Sequence, residues 1–219
     1  VWAKSFGTTN CCEMGYGIAV DSSGNVYTIG TFKNTVDFDP GAGTANLTAS
    51  GFLDAFVLKL DSSGNYVWAK SFTGTGNVYA ASMAVDSSGN IYTTGYFTET
   101  VDFDPGAGTA NLTSNGGYDA FVSKLDSSGN YVWAKSFGTG GRGSDALDGT
   151  DYGLSVAVDS SGNVYTTGKF EYTADFDPGA GTANLTSSAG NGGNSCCLYS
   201  DDAFVLKLDS SGNYVWAKS

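Results

Sequence analysis

Four cysteines stand as two adjacent pairs, Cys11 with Cys12 and Cys196 with Cys197. A bond between sequence neighbours is strained, so disulfide geometry favours bonds between the two pairs. Four thiolates also suit zinc, but the short Cys-x-x-Cys step of zinc and redox motifs is missing. Three copies of Asp-Phe-Asp-Pro supply Asp37 and Asp39, Asp102 and Asp104, and Asp175 and Asp177. Side chains two apart on an extended chain point the same way. Each copy therefore presents two carboxylates beside a Gly-rich loop with carbonyls to add, a donor set that suits calcium. The competing reading is a capped Pro-Gly turn with the second carboxylate in solvent. Asn46, Asn111 and Asn184 each open an Asn-Leu-Thr triplet. This is a glycosylation acceptor in a eukaryotic secretory pathway, and repetition alone also accounts for its recurrence.

Composition narrows the chemistry further. The 219 residues include no histidine, which removes the commonest general base and the commonest zinc and copper ligand. Catalysis needs unlike groups converging on one point, whereas the acidic groups here recur in the same form along the chain. The expectation is that the protein is not an enzyme. Net charge is −12, a surface that repels nucleic acid and anionic membranes and can attract divalent cations. No apolar run approaches the ~20 residues of a membrane span. The chain does not begin with Met, which reads as a mature product or a window of a longer chain.

The elements that position these groups come from internal repetition. AVDSSGN begins at Ala19, Ala84 and Ala157, and YVWAKS at Tyr66, Tyr131 and Tyr214. DAFVLKLDSSGN begins at Asp54 and Asp202, with DAFVSKLDSSGN from Asp119 between them. Each repeat reads as four strands. The first is expected at 18–20, 83–85 and 156–158, and the second at 26–32, 91–97 and 164–170. The third is expected at 55–60, 120–125 and 203–208, and the fourth at 66–72, 131–137 and 214–219. In the third strand Phe56, Leu58 and Leu60 alternate with Ala55 and Val57. Both faces are thus apolar, and both must be covered. Blades stacked around an axis do that. The fold class expected is all-β: a propeller-like array of three four-stranded antiparallel blades, open or completed by another copy. Residues 1–5 read as a spare outer strand, and 6–72, 73–137 and 138–219 as the blades. Lys4, Lys70, Lys135 and Lys218 on the fourth strand would discourage edge pairing.

DSSGN occurs six times, always between two strands. Its Asp caps a tight turn and its Gly takes a positive φ. It shares part of an EF-hand spacing but lacks the Gly position and the closing Glu. In an up-and-down blade all six turns fall on one face. The insertions, including 138–153 with Arg142, Asp145, Asp148 and Asp151, fall on the other, as does each cysteine pair. Variable loops on a rigid scaffold are where contacts are usually made. That insertion reads as a solvated loop or as a ligand pocket. Trp2, Trp68, Trp133 and Trp216 hold one position in strand four and read as inter-blade packing, with sugar stacking as the alternative.

The segments AVDSSGNVYTTG, TVDFDPGAGTANLTS and DAFVLKLDSSGNYVWAKSF together resemble the bacterial SBBP family of β-propeller repeats across essentially the whole chain. The resemblance implies a secreted or cell-surface protein of many tandem repeats and carries over no catalytic residues. The cysteine loops and the two insertions depart from it. Closed propellers need roughly 4–8 blades, so the chain is a window of a longer array, half of a six-bladed pair, or a unit that joins head to tail. The functional expectation is an extracellular structural or assembly module, self-associating into a filament or multi-chain propeller and stapled by disulfides. The alternative is an adhesion module that binds a glycan or a surface protein through the variable loops.

Overall fold

The computed structural model describes residues 1–7, 13–140, 149–188 and 201–219. In the first repeat, β1 (Met14–Val20) and β2 (Val26–Phe32) flank the first DSSGN. Asp21 makes that turn. Its Oδ1 accepts the backbone amides of Ser23 and Asn25 at 2.9 and 3.0 Å, and its Oδ2 accepts the Asn25 side-chain amide at 2.8 Å. Gly24 closes the turn at φ 78, a left-handed conformation that costs glycine little. Asp61 and Asp209 repeat the pattern between strands three and four. Where the turn joins strands one and two, a tyrosine hydroxyl also donates to the aspartate. Tyr27, Tyr92 and Tyr165 do so at 3.0, 3.1 and 3.2 Å.

After β2 the chain makes a small hairpin, β3 (Thr35–Asp37) and β4 (Asn46–Thr48). Then β5 (Asp54–Leu60) and β6 (Tyr66–Gly74) complete a sheet in the order β1-β2-β5-β6. The second repeat follows with β7 (Val78–Val85), β8 (Ile91–Phe97), the hairpin β9 (Thr100–Asp102) and β10 (Asn111–Thr113), β11 (Asp119–Leu125) and β12 (Tyr131–Phe137). The third comprises β13 (Tyr152–Val158), β14 (Val164–Glu171), the hairpin β15 (Thr173–Asp175) and β16 (Asn184–Thr186), β17 (Asp201–Leu208) and β18 (Tyr214–Lys218). Every neighbouring pair in the three long-stranded sheets is antiparallel. The chain is therefore all-β, with three propeller-like four-stranded blades. Among the described residues no helix is long and apolar enough to cross a membrane.

Two features differ from the sequence expectation. The first strands begin at Met14, Val78 and Tyr152, four or five residues earlier than the pattern placed them, because glycines and serines interrupt their apolar alternation. The outer strand is also not a free edge guarded only by lysine. Thr73 and Gly74 of β6 pair with Asp102 and Val101 of β9, so the next repeat's hairpin continues the first sheet. Gly138 bridges Asp175 at the corresponding place in the third repeat.

The alternation of β5 builds the core. Ala55 and Val57 enter a cluster with Met83, Ile91 and Phe121 of the second repeat. Phe56, Leu58 and Leu60 face the other way, into a cluster with Phe32, Val36 and Phe38. The second sheet lies between the other two: β7 packs on β1 and β2, and β13 packs on β7 and β8. Each fully buried Val, Leu or Phe contributes about 1.5–3 kcal/mol.

Candidate interaction surface

The Asp-Phe-Asp-Pro segments form the small hairpins. Val36 and Phe38 are buried, which turns Asp37 and Asp39 outward together. Asp37 Oδ1 accepts the amides of Asp39 and Ala45 at 3.0 and 2.8 Å, and Asp39 Oδ1 accepts the Gly41 amide at 2.7 Å. The Ala45 and Asp39 amides hold the Asp37 carboxyl below the usual carboxylate range. Asp102 and Asp104 make the same contacts, as do Asp175 and Asp177. Among the described residues no three His, Cys, Asp or Glu side chains converge as a metal site. Asn46, Asn111 and Asn184 are exposed at the head of the second hairpin strand. Cys11, Cys12, Cys196 and Cys197 lie outside the described residues, as do Arg142, Asp145 and Asp148.

Contact between repeats follows one scheme. The strand-four tryptophan of one sheet lies on the glycine of the next sheet's second DSSGN turn. A Cβ on Gly129 would come within 3.3 Å of the Trp68 ring, and one on Gly212 within 3.0 Å of the Trp133 ring. Trp133 Nε1 donates to the Ser210 carbonyl at 3.3 Å. Phe72 and Phe137 sit beside Phe103 and Phe176, with centroids 5.2 and 5.4 Å apart. Residues 1–7 repeat these contacts on the first sheet. Trp2 Nε1 donates to the Ser62 carbonyl at 3.1 Å, Gly64 packs under its ring, and Phe6 lies 5.4 Å from Phe38. This segment therefore fills the seat that β6 fills on the second sheet and β12 on the third. The sequence shows the copy; only the contacts show its seat.

On the outward faces of the end sheets, some positions that are buried between repeats lie exposed. Met83 and Val156 are each 7% exposed at their interfaces, whereas Ile18, at the same position of β1, is 70% exposed. Val57 and Val122 are fully buried, while their counterpart Val205 on the third sheet is 42% exposed. Thr167 and Ala203 are exposed beside it, where Ile29, Thr94, Ala55 and Ala120 are buried. Sequence periodicity places these residues in blade faces but cannot say which faces meet a partner.

The face opposite the DSSGN turns is braced by acids, of which sequence reasoning singled out only Asp151, in an insertion read as a solvated loop or ligand pocket; Asp151 is buried. Asp54, Asp119 and Asp202 each anchor the loop before strand three through Oδ2, accepting the amides of Ser50, Asn115 and Ser188 at 2.7, 3.1 and 2.9 Å. Their signal was their recurrence in DAFV. Burial pushes Asp119 up to about 6, against the pull of the Asn115 amide. Asp151 accepts the Thr139 amide at 2.6 Å and the Glu171 amide at 3.2 Å, yet burial pushes it up to about 7, with Asp119 adding repulsion. Glu171 accepts the Thr150 hydroxyl at 2.7 Å. These carboxyls brace loops in the interior; Asp54, Asp119, Asp151 and Glu171 are all buried.

An uncharacterised WD repeat-containing protein of Acanthamoeba polyphaga mimivirus is 26% identical over a 243-residue alignment that covers 97% of this chain. The chain spans 16% of the length of that relative. The crystal structure of a protein of unknown function from Bacteroides caccae aligns with 94% of this chain and 81% of that one, at 11% identity and a TM-score of 0.29. That agreement is too slight to bear on how the blades are arranged. A family described as a beta-propeller repeat, SBBP, matches residues 67–96 and 132–169. Each match runs from strand four of one sheet into strand two of the next, across the contact between repeats. Over residues 67–96 and 132–169 the chain therefore matches the SBBP β-propeller repeat.

Proposed function

We propose that this chain is a non-catalytic, extracellular structural module that associates head to tail through the two uncovered blade faces. The observation that carries the reading is the contrast between Ile18 and its buried counterparts Met83 and Val156. The face of β1 matches the side of a blade that accepts a preceding blade, and the face holding Val205 matches the side that accepts a following one. An interface between unlike faces propagates unless its rotation closes it, so the product is a filament or a multi-chain ring. Residues 1–5 and 215–219 are both Val-Trp-Ala-Lys-Ser. An incoming copy therefore brings on β18 a tryptophan equivalent to Trp2, and docking exchanges Trp216 for Trp2 on the first sheet. Disulfides from the paired cysteines would staple neighbouring copies in an oxidising compartment, and calcium at the hairpin aspartates would stiffen the rim.

Sedimentation velocity over a range of concentrations tests association. The expected result is mass growing with concentration; a uniform monomer at micromolar concentration overturns the reading. Non-reducing electrophoresis tests the staple, which a monomer band with and without reductant removes. Melts with and without chelator test calcium, and an unchanged midpoint counts against it.

A further inference from the structure

Each first strand carries a β-bulge at the same place. The register slips between Gly15 and Gly17 on β1, Ala80 and Ser82 on β7, and Gly153 and Ser155 on β13. The extra residues are Tyr16, Ala81 and Leu154. A bulge re-aims its extra side chain out of the ladder's alternation. All three line one cavity of about 320 Å³, together with Tyr79, Ala80 and Tyr96. A backbone device shared by all repeats thus points three different side chains at a single place. Ala81 is the smallest of the three. Tyr16 and Leu154 are each 49% exposed, so the cavity opens to solvent.

One wall is a built aromatic stack. The Tyr96 ring lies between Tyr79, at 4.9 Å and 16°, and Tyr152, at 4.1 Å and 29°. Tyr118 meets all three edge-on, at 5.8, 5.4 and 5.7 Å. The other repeats place Thr31 and Lys169 where the second has Tyr96, so the wall is a local feature and not a by-product of repetition. Lys169 lies 4.6 Å from the centre of the Tyr152 ring and pairs with Asp201 at 2.8 Å. That pair flanks the end of the stack formed by Tyr152, outside the cavity lining.

We infer that this cleft binds a pyranose ring of a neutral glycan. The C–H face of a sugar ring packs on a tyrosine face, and its hydroxyls find the phenol groups of Tyr16, Tyr79 and Tyr96. The volume is at the small end of the roughly 300–1,000 Å³ usual for ligand pockets, which suits one ring of a longer chain. The net charge of −12 disfavours an anionic ligand. This assignment does not rest on the association proposed above.

The test uses the full chain with cellohexaose, maltohexaose and chitohexaose as probes, read by saturation-transfer NMR and titration calorimetry. At least one is expected to bind, with saturation strongest on ring protons. Ala81→Leu fills the space and is expected to weaken binding by at least about tenfold, about 1.4 kcal/mol, with the melting midpoint kept. Tyr16→Ala, at a half-exposed position, gives the same loss should Ala81→Leu disturb folding. No saturation transfer from any probe at millimolar concentration overturns the assignment, as does binding that both variants leave unchanged. A tyrosine-containing tetrapeptide that binds in an Ala81→Leu-sensitive way, where the sugars do not, makes the cleft a peptide site and also overturns it.

Discussion

The middle blade and the end blades are built from nearly the same residues, yet bury them differently. In the middle blade Met83 and Val122 are covered on opposite faces; at the ends their counterparts Ile18 and Val205 face solvent. Strand pattern and turn hydrogen bonds recur in the three, so the contrast follows the neighbours each face meets. Apolar side chains keep their position in the repeat whether or not the chain itself supplies a partner, and the head-to-tail association proposed above takes the end faces as its interfaces.

Charge substitution should sharpen that contrast most. Met83→Asp buries an unpaired carboxylate between the first two sheets and should cost about 4 kcal/mol or more. Ile18→Asp should change chain stability by no more than about 0.5 kcal/mol. Denaturant unfolding of the two variants checks both values. Equal losses would mean that the β1 face is not an unfilled counterpart of the β7 face.

A smaller effect is expected at the tryptophans. Trp133→Ala removes a buried ring and its bond to the Ser210 carbonyl, and should cost about 3 kcal/mol. Trp216, which meets Tyr165 edge-on at 6.4 Å and is only half-buried, should cost about 1 kcal/mol when cut to Ala, by the same measurement.

Acid titration gives a comparison between the two loop faces. Asp119 and Asp151 titrate at about 6 and 7 in the fold, above the unfolded value near 3.9. The folded state then binds more protons, so stability is higher at acid pH and falls as pH rises through 4 to 7. At the turn face the signs reverse. The Asn65 amide holds Asp61 low, and the Asn213 amide holds Asp209 low. Their contribution is present above pH 4 and lost as pH falls below it. The melting midpoint should therefore peak near pH 4–5 and be lower at pH 8. Asp119→Asn keeps an acceptor for the Asn115 amide and should recover about 2 kcal/mol at pH 8 with little change at pH 4. A midpoint that rises steadily from pH 5 to 8 would contradict the buried, raised carboxyls.

Much of the fold was legible because DSSGN punctuates the strands and the alternation in DAFVLKL names both blade faces. The small hairpins were hidden, since three-residue strands such as Asn46–Thr48 are too short to show a period and their loop reads as Gly-rich turn. The bulges were hidden too. A one-residue slip at Tyr16, Ala81 and Leu154 leaves no mark in composition, and its consequence, a shared cavity, exists only between repeats. The paired carboxylates of Asp37 and Asp39 were legible as a recurring motif, but their hydrogen bonds to amides up to eight residues away depend on how the loop folds back.

Mixing two variants tests head-to-tail docking most directly. Ile18→Asp spoils the β1 face and leaves the Val205 face intact; Val205→Asp does the reverse. Sedimentation velocity should show each alone as a monomer and the mixture as a one-to-one dimer that grows no further. A mixture that stays monomeric while the unmodified chain associates, or variants that still associate alone, would contradict docking between these two faces.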